Sequence, residues 1–262
     1  MPGVVHVEEP APGVALLTLS NPDKRNALDR TLCESLRFTL ERLDARCVVL
    51  TGEGRAFCAG YDIAELLGEG YEDGAADSVE AHHPFPGALA AIETYPYPVV
   101  AALNGATIGG GLELAIACDL RIAADTAQLG MPPAKLGVVY ATAGLNRFLT
   151  TIGGARTREL FLTGRRIDAA TAERWGLVNS VVEAEALPAA ALELATEIAA
   201  NAPLSLRGNK AGIRELIAAG GVLDPAVAAV LEAERRRAFA SEDLREGLRA
   251  FGEKRAPVWR GR

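Results

Sequence analysis

The chain has 262 residues, of which 49% are hydrophobic and 23% charged, with a formal net charge of -7. That length suits one large domain, with or without a small appendage, and can bury a sizeable core. An acidic surface repels phosphate backbones, which argues against nucleic acid as a partner but leaves room for a small anionic ligand beside clustered basic residues. Cys33, Cys47, Cys58 and Cys118 match no zinc or redox spacing. Reduced, buried thiols in the cytoplasm are the expectation. Residues 1–12 lack the basic and then apolar order of a signal peptide. No apolar run approaches membrane length, so no membrane partner is expected.

In chain order, residues 4–7 and 14–19 predict two strands joined by the turn Pro10-Ala11-Pro12-Gly13. From Asp29, an N-cap residue type, Leu32, Leu36, Leu40 and Leu43 recur at helical spacing. The apolar run 47–50 predicts a buried strand, followed by a glycine-punctuated loop over 52–60. A short helix over 62–67, a Gly-, Asp- and Glu-rich surface loop over 68–78 and a helix over 86–94 follow. His82 and His83 are expected as a solvated pair at that last helix's start. A strand over 99–103 leads into Gly109-Gly110-Gly111, which opens a helix through Cys118, and 120–123 is a further strand. Beyond this the pattern is helical, over 155–162, 169–175, 187–200, 204–218, 225–240 and 242–251. The layout is an α/β core over 1–185 and a helical region over 186–262.

Three consecutive glycines between a buried strand and an apolar helix are conformationally costly. Their use is to bring backbone N–H groups close to a ligand at a helix N-terminus, where the dipole favours negative charge. Tight helix packing is the other use, with Glu113 then facing solvent. The spacing is not that of a dinucleotide-binding turn. Gly54-Arg55-Ala56-Phe57-Cys58-Ala59-Gly60-Tyr61-Asp62 forms a second glycine-bearing exit from a buried strand. Two such junctions can aim two N–H donors at one oxygen, as a carbonyl gaining negative charge requires. Cys58 as a nucleophile lacks a histidine near it in sequence, and no histidine cluster suggests a metal site.

These segments carry a resemblance. Phe57 to Asp62 resembles the first oxyanion segment of the crotonase (enoyl-CoA hydratase/isomerase) superfamily, and Asn104-Gly105 through Glu113-Leu114 resembles the second. Asn21-Pro22-Asp23-Lys24-Arg25-Asn26-Ala27-Leu28 is similar to the segment near the family's CoA site. Thr163-Gly164-Arg165-Arg166-Ile167-Asp168-Ala169, Trp175-Gly176-Leu177-Val178 and Phe251-Gly252-Glu253-Lys254-Arg255-Ala256-Pro257 extend the likeness, in order, over nearly the whole chain. The resemblance implies a crotonase (ClpP-like) fold of stacked ββα turns, with a helical C-terminal region that drives a homotrimer or dimer of trimers. It implies an acyl-CoA substrate, no cofactor beyond that CoA and no metal. It places the backbone N–H groups of Tyr61 and Gly110 in the oxyanion hole, Lys24, Arg25 and Ala27 near the CoA nucleotide, and the backbone of Cys58 and Ala59 at the adenine. Phe251 and Lys254 would reach the CoA of a neighbouring subunit. The plainer role of Lys24 and Lys254 is solvated surface charge.

Hydratases of this family hold water between two glutamates. Glu113 matches the first, but Pro133 stands at the second position. Proline has no titrating group and no backbone N–H. That argues against two-glutamate hydration, and against isomerases that need a base there. The segment Met131-Pro132-Pro133-Ala134-Lys135-Leu136-Gly137-Val138-Val139-Tyr140 resembles bacterial methylmalonyl-CoA decarboxylase, which has a tyrosine at the place of Tyr140 and a glutamate at that of Glu113. Tyr61 departs from that enzyme, which has a histidine there. Three readings stay open: decarboxylase of a malonyl-type thioester, enoyl-CoA hydratase using Glu113 alone, and catalytically silent acyl-CoA binding protein. Tyr140 is either part of the site or a core tyrosine with a satisfied hydroxyl.

Overall fold

The computed structural model describes residues 2–62 and 83–262. The expected loop over 68–78, most of the helix expected over 62–67 and His82 lie outside the described residues.

Strands β1 (Val4–Ala11), β2 (Val14–Ser20), β3 (Cys47–Gly52), β5 (Val99–Leu103), β7 (Leu120–Ala124) and β10 (Ser180–Val182) form one sheet in the order β1-β2-β3-β5-β7-β10. The β1–β2 pair is antiparallel and the remaining pairs are parallel. Pro10 and Ala11 belong to β1 rather than to the turn expected there. An edge strand tolerates proline because its outer N–H groups are not needed for pairing.

The continuous apolar run of β3 follows from burial on both faces. Alternate residues point opposite ways. Val48 and Leu50 join Leu17, Leu19, Ala101 and Leu103 in the main core. Cys47 and Val49 join Val100, Ala102 and Ile122 against helix α7 (Leu187–Ala199), which contributes Leu187, Ala191 and Ala195.

β3, β5 and β7 each lead into a short strand of a second sheet: β4 (Ala56–Cys58), β6 (Ala106–Ile108) and β8 (Gln128–Gly130). These three run parallel, with β9 (Arg166–Asp168) antiparallel to β8. This is the stacked arrangement the resemblance implies, and it brings three loops to one edge. β4 ends at Cys58, β6 ends beside Gly109, and β8 ends before Met131.

Helices α1 (Arg30–Arg42) and α2 (Phe85–Thr94) pack on each other over the main core. Asp29 caps α1 by accepting from Leu32 N at 2.7 Å. Helix α3 (Gly110–Ala117) is buried along its whole length. After the short α4 (Pro133–Leu136), helix α5 runs over Thr142–Thr163, well ahead of the start expected at Ala155. Gly153, at φ 73° and ψ 168°, breaks it into two pieces, and only the second carried a legible pattern. The chain continues through α6 (Ala169–Arg174), α7, α8 (Pro203–Ala218), α9 (Pro225–Ala240) and α10 (Glu242–Glu253).

Lys210 of α8 pins the helical region to the core. It is buried and donates to the carbonyls of Ile92 (3.2 Å) and Tyr97 (2.9 Å) and to Asp119 Oδ2 (2.7 Å). α9 buries no residue, and Ile213, Val230, Phe239, Leu248 and Phe251 are exposed on α8 to α10. Among the described residues no helix is long and apolar enough to cross a membrane.

Candidate active site

The two glycine-bearing junctions meet. Gly60 has φ +93°, and a Cβ there would lie 2.8 Å from the Ile108 carbonyl oxygen and 3.4 Å from Gly110 N. Only glycine fits both that backbone conformation and that gap. Gly111 faces the same restriction, since its Cβ would lie 2.4 Å from the Cys58 carbonyl oxygen and 2.8 Å from Cys58 Sγ. The glycines therefore do pack α3 tightly onto β4, and that packing sets the start of α3 beside Tyr61. The Tyr61 ring would lie 3.1 Å from a Cβ on Gly110. Gly110 is the first residue of α3, where an α-helix leaves its N–H groups without intrahelical acceptors.

The loop after β2 is bonded to the same junction. Leu28 N donates to the Gly60 carbonyl at 2.8 Å, Ala59 N to the Arg25 carbonyl at 3.0 Å and Asp62 N to the Leu28 carbonyl at 3.2 Å. Arg25 and Asn26 adopt left-handed backbone conformations, at φ 55° and 57°. Asn26 holds that shape from inside. Its buried side chain donates to the carbonyls of Glu53 (2.9 Å) and Ala56 (2.8 Å) and accepts from Asn21 N (3.0 Å). Lys24 and Arg25 are exposed and Ala27 is buried. Lys24 forms an ion pair with the buried Asp62, so its charge is fixed over the junction rather than simply solvated.

Glu113 does not face solvent. It sits in the first turn of α3 with a side chain 6% exposed. Tyr140 Oη donates to Glu113 Oε2, and Arg147 Nη1 donates to Glu113 Oε1 at 2.9 Å. Arg147 also holds Glu93, through Nε at 2.6 Å and Nη2 at 3.2 Å. Burial pushes the Glu113 carboxyl up, against the hydrogen bond from Tyr140 and the charge of Arg147, which hold it down. The Tyr140 phenol is pushed well up, first by burial and then by the carboxylate it bonds. Its hydroxyl is satisfied by Glu113, not by a backbone carbonyl. The Tyr140 ring packs edge-on against Phe161 at 5.3 Å.

Pro133 is buried as the first residue of α4, with Met131 and Pro132 between it and β8. Gly109 N donates to the Gly130 carbonyl at 2.9 Å, and the Pro132 ring lies 3.9 Å from where a Gly109 Cβ would stand. The proline-bearing segment thus borders the start of α3.

His83 corrects the expectation of a solvated pair. Its ring meets Tyr61 edge-on at 5.1 Å, and its Nδ1 accepts from Phe85 N at 3.2 Å. Half burial lowers its tendency to protonate. Cys58 is fully buried and its thiol is pushed up to about 12, so it stays protonated and unreactive at neutral pH. Phe251 and Lys254 belong to α10 and its cap, with Phe251 87% exposed. Among the described residues no cluster of three or more His, Cys, Asp and Glu side chains is placed to hold a metal. Arg147 and Glu93 carry no sequence motif. Arg147 lies in a stretch for which no helix is expected, so nothing local marked it.

The chain is similar over nearly its whole length to known proteins. The family model described as enoyl-CoA hydratase/isomerase matches residues 9–262. Mevalonyl-coenzyme A hydratase sidH of Aspergillus fumigatus is 34% identical over 260 residues, covering 97% of this chain and 94% of the relative. The crystal structure of enoyl-CoA hydratase from Bacillus anthracis superposes with a TM-score of 0.88 at 35% identity, covering 98% of this chain and 99% of that one. An enoyl-CoA hydratase/carnithine racemase from Magnetospirillum magneticum superposes with a TM-score of 0.90 at 34% identity, covering 99% and 96%. Model, relative and structures span nearly the full chain, and this protein belongs to the enoyl-CoA hydratase/isomerase family of the crotonase superfamily.

Proposed function

We propose that this protein binds an acyl-CoA thioester and decarboxylates a malonyl-type acyl group through an enolate. What supports this reading is the buried Pro133, at the place the resemblance gives to a hydratase's second glutamate, together with the bond from Tyr140 to Glu113. In the reaction the bond from the α-carbon to the carboxylate breaks, and carbon dioxide leaves. The electron pair passes into the thioester, whose oxygen becomes negative. The N–H groups of Tyr61 and Gly110 stabilise that oxygen, each worth about 3 kcal/mol. No base is needed to remove a carbon-bound proton. With Glu113 protonated, as its burial favours, the Tyr140 hydroxyl turns from it to donate to the departing carboxylate, and Glu113 then returns its proton to the α-carbon.

CoA lies along the junction, its nucleotide near Lys24, Arg25 and Ala27 and its adenine against the backbone of Cys58 and Ala59. Phe251 and Lys254 reach the CoA of a neighbouring copy, in a homotrimer or a dimer of trimers. The exposed apolar side chains of α8 to α10 support that assembly. No cofactor beyond the CoA of the substrate takes part, and the cytoplasm is the compartment we assign.

Tyr140→Phe tests the reading. On a malonyl-type thioester, carbon dioxide release is expected to fall by about 10- to 100-fold, the worth of one hydrogen bond to a charged group. Unchanged turnover would remove Tyr140 from the mechanism. Hydration of an enoyl-CoA by Glu113 alone, with Tyr140 ordering the water, is the second reading, favoured by the relative named as a mevalonyl-CoA hydratase. A silent acyl-CoA binding protein is the third. CoA binding without turnover of any thioester would establish it.

A further inference from the structure

Glu113 is linked to a second carboxylate that belongs to none of the motifs. Three helices converge there, with Glu93 on the last turn of α2, Glu113 on the first turn of α3 and Arg147 on α5. Arg147 uses Nε (2.6 Å) and Nη2 (3.2 Å) on the two oxygens of Glu93, and Nη1 (2.9 Å) on Glu113. A guanidinium is planar, so two bonds to one carboxylate fix the plane of the whole fork. Fixing that plane fixes the direction in which Nη1 meets Glu113. We propose that Glu93 is a positioning residue, which holds the Arg147 guanidinium between the two carboxylates and so sets the protonation of Glu113. The proposal deepens the functional reading above and rests on Glu113 handling the reaction's proton.

The charges around Glu113 make the consequence specific. Arg147 faces it from α5 and Tyr140 from the segment before α5, with Glu93 behind Arg147 on α2. Tyr61 lies near Tyr140, and β4 contributes only the protonated Cys58 thiol. Arg121 of β7 is turned away, bonded to the carbonyls of Leu177 (2.7 Å) and Cys118 (2.7 Å). Arg147 therefore bridges the two carboxylates, while Arg214 of α8 lies beside Glu93 and donates to its backbone carbonyl at 3.4 Å. Arg147 favours the ionised form of Glu113, and the negative charge of Glu93 opposes it. Glu93 and Arg147 also line a cavity of about 680 Å³ under α8, so substitutions there meet open space rather than packed core.

The test is a carbon-13 NMR titration of protein labelled at its glutamate carboxyls, with the Glu113 signal identified by its loss in Glu113→Gln. In Glu93→Gln the Glu113 midpoint is expected to fall, because the opposing negative charge of Glu93 is gone. In Arg147→Met it is expected to rise by about one pH unit or more, the effect of removing an adjacent opposite charge. Arg147→Lys keeps the charge, and its midpoint is expected to stay below that of Arg147→Met. Unchanged midpoints in Glu93→Gln and Arg147→Met, or shifts of both in one direction, would overturn the proposal. A Lys variant indistinguishable from Met would overturn its electrostatic part. The titration needs no turnover, so it stands or falls apart from the assigned reaction, which fails separately if Glu113→Gln turns over at the parent rate.

Discussion

Glu113→Gln is expected to lower turnover of the thioester substrate by about 100-fold or more, the usual worth of a positioned acid or base, while CoA affinity stays close to that of the parent. Glutamine keeps the size of the side chain and an oxygen for Arg147 or Tyr140, so the packing of α3 survives. What it loses is the proton. The carboxyl is buried and its protonated form is favoured by that burial, which suits the proposed role of delivering a proton to carbon. The CoA contacts proposed for Lys24, Arg25, Ala27, Cys58 and Ala59 come from other segments, so a binding titration with free CoA should barely move. Steady-state kinetics beside that titration separate the two quantities. Full activity in the variant would exclude any acid–base role for Glu113.

Gly111→Ala is expected to damage the same site from the backbone side. The new methyl would stand 2.4 Å from the Cys58 carbonyl oxygen and 2.7 Å from Cys58 Cβ, inside a fully buried contact. Neither neighbour is the flexible end of a side chain. The start of α3 must therefore move off β4, and the Gly110 N–H moves with it, away from Tyr61. Removing one donor from an oxyanion hole costs roughly 10²- to 10³-fold in kcat. Overpacking a buried contact adds about 1–3 kcal/mol of instability, visible as a lower denaturation midpoint. A folded variant with normal kcat would show that the α3 start has no part in stabilising the oxyanion.

Both variants act where local sequence signals and long-range structure meet. The long parallel strands β3 and β5 were legible because burial on both faces leaves mostly apolar residues, as in Cys47 to Leu50 and Val99 to Leu103, whereas β4, β6, β8 and β10 are only three residues long and carry no readable pattern. Helix α9 was legible at both ends. Asp224 caps it, Pro225 opens it and Ser241 stops it. Helix α5 was legible only beyond Gly153, where the helix is in fact broken into two pieces and only the second carries a readable apolar spacing. In the site, the glycine runs announced close backbone approach, and the structure supplies the reason in the contacts at Gly60 and Gly111. Whether Glu113 faced water or protein was not legible, since a carboxylate in a first helical turn is favourable in either place. Its partners were not legible either. Tyr140, Arg147 and Glu93 are 27 or more residues from the groups they bond, and no spacing rule reaches that far. The ion pair between Lys24 and Asp62 is hidden for the same reason.

The most direct test of the proposed chemistry is mass spectrometry of the purified protein incubated with malonyl-CoA, methylmalonyl-CoA and several enoyl-CoAs. Loss of carbon dioxide from a malonyl-type thioester, with the enoyl-CoAs unchanged, is the predicted result. Gain of water by an enoyl-CoA, with both malonyl-type thioesters intact, would contradict it and show that Glu113 suffices for hydration despite Pro133.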